Sequence, residues 1–170
     1  MAILKIIKAP DPILKKQCLP IDEVDDTIRR LMDDMLETMY DAPGIGLAAP
    51  QVAIHKRIIV VDGSEKNAER EPLFLANPEL IQTSNELTTF NEGCLSFPDQ
   101  YAEVERSKTV KVRYLDYNNE IKELDADGLL STCIQHEIDH LNGKLFVDRI
   151  SLLKRNIIIR KMKKLKKSEH

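Results

Sequence analysis

Apolar residues recur at helical spacing in three segments of this 170-residue chain, and each segment predicts a helix. The first covers 28–39, with acidic residues before it and Pro43-Gly44 after it, which are typical boundary signals. The second begins after Asp127, a suitable N-cap, and ends before Gly143, which suits the C′ position. The third begins at Ser151 and carries lysines opposite its apolar residues, which are Leu153, Ile157, Ile158, Met162 and Leu165.

Short apolar runs between these helices predict strands. One buried strand is predicted over 57–62 and a second, broken near its proline, over 73–80, with a polar loop between them. β-Branched alternation on both sides of Asn118-Asn119 predicts a hairpin over 109–124, whereas three prolines predict an extended arm over 10–20. The predicted fold is therefore α+β, with short, mostly antiparallel strands around a central helix, an N-terminal amphipathic helix and a C-terminal helix.

Composition is typical of one soluble globular domain, with 42% apolar and 31% charged residues. Three cysteines far apart in the chain argue against a disulfide framework, and lysines interrupt the apolar N-terminus where a signal peptide would need its apolar core. No apolar run approaches the roughly 18 residues of a membrane span. We therefore expect a cytoplasmic protein that makes no membrane contact.

The central helix contains His136-Glu137-Ile138-Asp139-His140, an HExxH motif. Residues four apart lie one above the other on a helix, so both imidazoles can bind one ion from the same side. Glu137 can then reach a water on that ion without being a ligand. The alternative, two partly buried histidines without a metal, is less well supported because the motif lies on a periodic helix with boundary signals. The central helix is therefore predicted to bind metal.

A catalytic metal centre also needs a third protein ligand and one position open to water. Cys133 shares the helix but lies about 10 Å along its axis from His140, so packing or pocket lining suits it better. Cys94 lies between a glycine and a proline, which predict an irregular loop from which a thiolate could approach the helix. Chemistry alone favours Cys94 over Cys18 only modestly and leaves both open.

A glycine-rich segment, GIGLAA at 44–49, fits the dinucleotide fingerprint G-x-G-x-x-[GA], and Asp62 ends a strand about 20 residues on. A true fingerprint comes after a strand and opens a helix, but here a helix precedes it and Pro50 interrupts the residues after it. We therefore interpret the segment as a glycine loop that lets backbone approach a ligand closely, and we expect no dinucleotide.

Three segments together resemble the motifs of peptide deformylases in order and spacing: GIGLAAPQ at 44–51, EGCLS at 92–96 and QHEIDHL at 135–141. The N-terminal Ile3-Leu4-Lys5-Ile6 and the chain length resemble the bacterial form. The resemblance implies a metal-dependent hydrolase that removes the N-formyl group from the N-terminal methionine of newly synthesised polypeptides and releases formate.

The resemblance also assigns the metal ligands and the proton carrier. It makes Cys94 the third ligand beside His136 and His140, and it makes Glu137 the general acid and base. It points to Fe²⁺ as the working ion, with Zn²⁺ or Ni²⁺ as substitutes, although imidazole and thiolate ligands alone would also suit zinc.

The same resemblance implies further roles. The Gln51 side chain and the Leu95 backbone N–H are placed at the developing oxyanion. Phe97 and Tyr101 depart from the residues usual in the family. These departures concern how the peptide beyond the methionine is bound. The residues implied to contact the substrate are Ile45, Gly46, Phe90 and Cys133.

Two other functions remain as alternatives. An HExxH zinc peptidase uses the same motif but usually recruits a carboxylate or histidine downstream as its third ligand. A non-catalytic metal module would more often show four closing ligands, and it would leave Glu137 without a purpose.

The C-terminal segment is strongly basic. Between Lys154 and Lys167 lie eight lysines and arginines and no acidic residue. Because the whole chain carries −3, the rest of it carries −11. We predict a catalytic metallohydrolase domain over 1–150 and a basic C-terminal helix over 151–170 packed on it. The helix is expected either to be a solubilising face or to contact ribosomal RNA where formyl-methionyl nascent peptides emerge.

Overall fold

Seven strands and three α-helices are found in the computed structural model, which describes residues 2–169. The helices are α1 (Asp26–Asp41), α2 (Gly128–Leu141) and α3 (Leu152–Ser168). The strands are β1 (Gly46–Ala48), β2 (Ile58–Val61), β3 (Leu73–Thr83), β4 (Leu87–Cys94), β5 (Phe97–Ser107), β6 (Thr109–Leu115) and β7 (Ile121–Asp127).

The strands form one five-stranded sheet in the order β1-β2-β3-β6-β7 and one separate hairpin, β4-β5. Every neighbouring pair is antiparallel. The α+β prediction is therefore confirmed. The predicted hairpin is β6-β7, which turns at Asn119 with φ +61°.

The five-stranded sheet has a helix on each face, which explains why β2 is apolar at every position. Ile58 and Val60 pack with α1 on one face, and Ile59 and Val61 pack with α2 on the other. Alternate residues of a strand point to opposite faces, so a strand buried on both sides needs a continuous apolar run. The contacts of Ile59 and Val61 thus place α2 against one face of the sheet.

The helices α1 and α2 begin and end close to the expected residues. Asp25 caps α1, since its side chain accepts the Ile28 N–H at 2.9 Å. Asp127 lies at the N-cap of α2, but its side chain makes no capping hydrogen bond. Gly143 comes after α2 with φ +75°, the left-handed conformation expected at C′.

The irregular segments differ from prediction in two places. The predicted break near Pro78 is a register shift in the pairing with β6, which absorbs the proline in a bulge, and β3 continues past 80 to Thr83. The 10–20 arm is not wholly extended, since Pro12–Lys15 form a 3₁₀ turn capped by the side chain of Asp11.

α3 packs through fewer residues than its apolar pattern suggested. Ile158 and Met162 are buried against a cluster that includes Phe146. Leu153, however, is 73% exposed, so the prediction that it packs on the body was wrong, whereas Ile157 and Leu165 are only 42% and 38% exposed. The helix contacts the body along one side, and Ile159 packs partly against the same cluster, while Leu153 points to solvent. Within residues 2–169, no helix combines the length and apolar character needed to cross a membrane.

Candidate metal centre

Three side chains from two elements converge beside the sheet. His136 and His140 lie one turn apart on α2, and Cys94 is the last residue of β4. Cys94 Sγ lies 3.3 Å from His140 Nε2, and one ligand atom from each of the three residues falls within 4.8 Å of the others. Within the described part of the chain, Cys18 and Cys133 lie outside this group.

Cys94 was predicted to lie in an irregular loop. In the structure it lies instead at the end of the β4-β5 hairpin, where it pairs with Phe97. At the neighbouring Gly93, a Cβ would lie 2.6 Å from the Tyr101 ring, so glycine lets that exposed ring pack against the strand. A strand end is a firmer support for a ligand than a mobile loop. The hairpin therefore fixes the thiol against α2.

The donor set fits a divalent ion. Thiolate and imidazole ligands lie about 2.0–2.3 Å from a tetrahedral ion, which places neighbouring donors roughly 3.3–3.6 Å apart. The 3.3 Å between Cys94 Sγ and His140 Nε2 matches this spacing. With three protein donors, a fourth position is left for water or substrate, as in catalytic sites. The group could therefore hold a catalytic metal.

Glu137 is a buried carboxylate beside this group. Its Oε2 lies 3.9 Å from His136 Nε2, and its Oε1 has no hydrogen-bond partner among residues 2–169. Burial raises the pKa of Glu137 to about 7, although the charges of His136 and Arg106 pull it down. A carboxyl group with such a pKa can both accept and return a proton near neutral pH.

Gln51 is held in one orientation by three contacts. Its Oε1 accepts the Ala48 N–H at 2.9 Å, so its amide NH₂ must point the other way, toward Ser96 Oγ at 3.0 Å and Cys94 Sγ at 3.4 Å. Leu95 lies in the two-residue turn between Cys94 and Phe97. The amide and this turn thus lie beside the same thiol.

Sequence reasoning missed the buried charges behind the histidines. Glu92 accepts from His136 Nδ1 at 2.9 Å and from Arg106 at 2.7 and 3.0 Å. Arg106 also donates to Asp139 at 2.9 Å, and Asp139 accepts two hydrogen bonds from Arg149. Glu92 and Asp139 lie within the EGCLS and QHEIDHL motifs, and the inward alternation of Val104 and Arg106 on β5 was the available signal.

These contacts orient the ligand ring. Burial would raise the pKa of Glu92, but hydrogen bonds from His136 and Arg106 outweigh it and hold that pKa below its usual range. Glu92 is therefore a carboxylate that fixes the ring of His136 through Nδ1 and leaves Nε2 for a metal. Phe146 stacks on the same ring, with centroids 6.0 Å apart.

Replacing Arg106 by Met is expected to lower the free energy of unfolding by ~3–5 kcal/mol, because two buried carboxylates lose their counter-charge. Arg113→Met is the matched control, since Arg113 pairs with Glu123 at 3.9 Å on the surface and should cost at most about 1 kcal/mol. Denaturant unfolding measures both. Equal losses in the two variants would contradict the prediction.

A cavity of about 740 Å³ opens beside the donor atoms. Ile45 and Tyr101 are exposed at this cavity, whereas Cys133 is buried and its Sγ lies 3.4 Å from the Ile45 carbonyl oxygen. The structure thus brings nearly all predicted site residues to one space. Those that line it are Ile45, Gly46, Gln51, Phe90, Cys94, Leu95, Cys133, His136 and Glu137.

The glycine-rich segment is not a loop throughout, since Gly46 opens the short edge strand β1 and Ala49–Val52 form a 3₁₀ turn. This order differs from the strand, glycine turn and long helix of a dinucleotide site. A Cβ on Gly46 would lie 2.5 Å from Glu137 Oε2 and 2.9 Å from Cys133 Sγ. Glycine is therefore required here for close approach to the glutamate.

A Cys/His/His donor set beside a buried glutamate, on an antiparallel α+β fold, defines a metal-dependent hydrolase. The polypeptide deformylase family model matches residues 3–156. Peptide deformylase of Rhizobium meliloti (strain 1021) is 51% identical over 168 residues, which cover 99% of this chain and 97% of that protein.

Solved structures agree. A crystal structure of peptide deformylase from Ehrlichia chaffeensis superposes with a TM-score of 0.94 at 38% identity, covering 99% of both chains. One from Legionella pneumophila gives 0.89 at 43% identity, covering 99% of this chain and 98% of that one. The chain belongs to the polypeptide deformylase family. The resemblance found in the sequence is confirmed, and the zinc peptidase alternative is not favoured.

Proposed function

We propose that this chain removes the formyl group from the N-terminal methionine of new polypeptides and releases formate, in the cytoplasm where such chains are made. The observation that carries this proposal is the Cys94/His136/His140 group with Glu137 beside it at a cavity. Hydrolysis breaks the formyl C–N bond, forms a C–O bond from water, and leaves a free methionine amine.

In the proposed mechanism Cys94, His136 and His140 hold the ion. When bound, the ion lowers the pKa of water and so supplies a nucleophile near neutral pH. Glu137 accepts the proton of the attacking water and later returns it to the leaving amine. Its Oε2, which lies 3.9 Å from His136 Nε2, is the oxygen that we assign to this transfer.

Gln51 and Leu95 are proposed to stabilise the developing oxyanion through the side-chain NH₂ and the backbone N–H. The fixed orientation of Gln51 supports its part, because a preorganised donor needs no reorganisation during the reaction. Ile45, Phe90 and Cys133 are proposed to surround the methionine side chain, and Gly46 to lie along the peptide backbone.

Fe²⁺ is proposed as the working ion, with Zn²⁺ or Ni²⁺ as substitutes. The family resemblance supports iron, whereas two imidazoles and a thiolate accept any of the three. Metal analysis of protein prepared without oxygen, compared with an aerobic preparation, tests the assignment. Zinc at full occupancy with high activity in both preparations would contradict it.

Formate release from a formyl-methionyl tripeptide, compared with cleavage of the unformylated peptide, tests the reaction itself. We expect formate from the first and no peptide-bond cleavage in either. Cleavage of the unformylated peptide would favour a peptidase instead.

We also propose that residues 1–150 form the catalytic unit and that 151–170 form a basic helix that contacts ribosomal RNA. Most of the eight basic residues of this helix are exposed, while Arg155 pairs with Asp148. A concentrated positive face on an otherwise acidic chain favours local phosphate contact over general adhesion.

Replacing Lys161, Lys164 and Lys167 by Gln is expected to abolish ribosome co-sedimentation at low salt, because each contact with phosphate releases counterions. Activity on a short formyl peptide should stay within about 2-fold, since α3 packs through Ile158 and Met162. The matched control replaces three exposed lysines elsewhere, which are Lys56, Lys66 and Lys122. Equal co-sedimentation of both triple variants would contradict the proposed contact.

A further inference from the structure

A buried aspartate outside the metal centre makes hydrogen bonds at both ends of a segment that lines the cavity. Asp62, which comes directly after β2, is 5% exposed. Its Oδ2 accepts the Tyr40 hydroxyl at 2.5 Å, and its backbone N–H donates to the Ile45 carbonyl oxygen at 2.8 Å. Tyr40 lies in the last turn of α1 and Ile45 directly precedes β1. Asp62 therefore contacts both ends of the connection 42–45, through its side chain at Tyr40 and through its backbone at Ile45.

This connection forms part of the cavity. Residues 42–45 all line it, and Ile45 is 46% exposed there. The connection lies between α1 and β1, and the hydrogen bond from Asp62 to Ile45 extends the β1-β2 register by one residue beyond Gly46. Its hydrogen bonds include Gly44 N–H to the Met39 carbonyl oxygen at 2.7 Å and the Asp62 contact to Ile45. Its position therefore depends on the last turn of α1 at one end and on the contacts of the Ile45 carbonyl oxygen with Asp62 and Cys133 at the other.

The carboxylate of Asp62 accepts hydrogen bonds from four donors. Besides the Tyr40 hydroxyl, Oδ1 accepts the Ser64 N–H at 2.9 Å and the Ser64 hydroxyl at 2.6 Å, and Oδ2 accepts the Glu71 N–H at 3.3 Å. The Arg70 guanidinium lies 4.0 Å above the Tyr40 ring. The loop between β2 and β3 is thus folded back on Asp62 and closes over Tyr40.

The titration of both groups agrees with this geometry. Burial would raise the pKa of Asp62, but hydrogen bonds from Ser64 and Tyr40 outweigh it and keep that pKa below its usual range. Burial, together with the hydrogen bond to Asp62, raises the pKa of Tyr40 to about 12. A charged acceptor with a neutral hydroxyl donor is among the stronger hydrogen bonds in proteins.

We propose that Asp62 and Tyr40 are positioning residues that hold Ile45 against the substrate peptide without touching the substrate themselves. The proposal rests on the proposed function, since it assigns the wall at Ile45 to peptide binding. It also gives a role to Asp62, whose place about 20 residues after the glycines imitated a dinucleotide fingerprint. The antiparallel pairing of β1 with β2 instead brings Asp62 beside Ile45.

Tyr40→Phe removes one hydroxyl and tests the proposal. We expect KM for a formyl-methionyl tripeptide to rise at least about 5-fold with kcat within about 2-fold, because the groups on α2 and β4 that carry the reaction do not contact Tyr40. Tyr117→Phe is the matched control. The Tyr117 hydroxyl donates at 3.1 Å to Asp33 of α1, the helix that also carries Tyr40. Tyr117 does not line the cavity, so KM should not change.

Two further measurements keep the test decisive. Ser64→Ala removes one of the four donors to Asp62 and should raise KM by a smaller factor than Tyr40→Phe. Hydrogen exchange of the Asp62 amide should be faster in Tyr40→Phe than in Tyr117→Phe, and this needs no turnover. If the wild type releases no formate, the proposed function falls while the exchange rates still report on the Ile45 contact. An unchanged KM, or unchanged exchange at the Asp62 amide, would overturn the proposal.

Discussion

Replacing Glu137 by Gln is expected to lower kcat by at least ~10²-fold while the protein keeps its metal. Glu137 is not among the three donors that converge, and its Oε2 lies 3.9 Å from His136 Nε2. Glutamine preserves the shape and the buried position but cannot accept a proton from water. The loss should therefore appear in the chemical step and not in metal occupancy.

Metal content and steady-state kinetics on the same preparation measure this. Glu123→Gln is the control, because Glu123 is an exposed residue of β7 that pairs loosely with Arg113 and should leave kcat unchanged. Near-normal turnover in Glu137→Gln would remove the residue from the mechanism. Loss of metal along with activity would instead assign it a ligand or structural role.

Elements with a strong periodic pattern could be predicted from sequence, and those without one could not. α1 and α2 each bury one helical face, and β2 is apolar throughout because helices cover both sides. The β4-β5 hairpin carries no such pattern, since most of its residues are partly or fully exposed. Without such a pattern, Gly93 and Pro98 were the only local signals, and they led to the expectation that Cys94 lies in a loop.

Long-range pairing also limited what the sequence could predict about the site. Motif spacing led to the histidines and the glutamate, but the contacts of Arg106 join β4, β5 and α2 at sequence separations of 14 and 33 residues. Such pairing depends on how the hairpin docks on the helix. Likewise, α3 has more apolar positions than the body can cover, so only the docked structure shows that Ile158 and Met162 are the buried ones.

Replacing Cys94 by Ala is expected to abolish metal binding and activity together. Two imidazoles of one helix bind an ion from one side only, and the thiolate closes the site from the hairpin. Cys18→Ala is the matched control, because Cys18 is a buried thiol outside the donor group and should keep both metal and activity. Cys133→Ala should also keep stoichiometric metal, although it lies in the proposed methionine pocket and its kinetics will differ.

Metal analysis after dialysis, with thermal unfolding to confirm folding, distinguishes the three cysteine variants. Cys94→Asp is expected to retain metal, because a carboxylate can also bind the ion. The pKa of water at the site would then differ from that in the wild type. Retention of one equivalent of metal by folded Cys94→Ala, or loss of metal only from Cys133→Ala, would reverse the ligand assignment. We expect instead that, of the three alanine variants, Cys94→Ala alone loses metal, because only the thiol at the end of β4 lies within 3.3 Å of His140 Nε2.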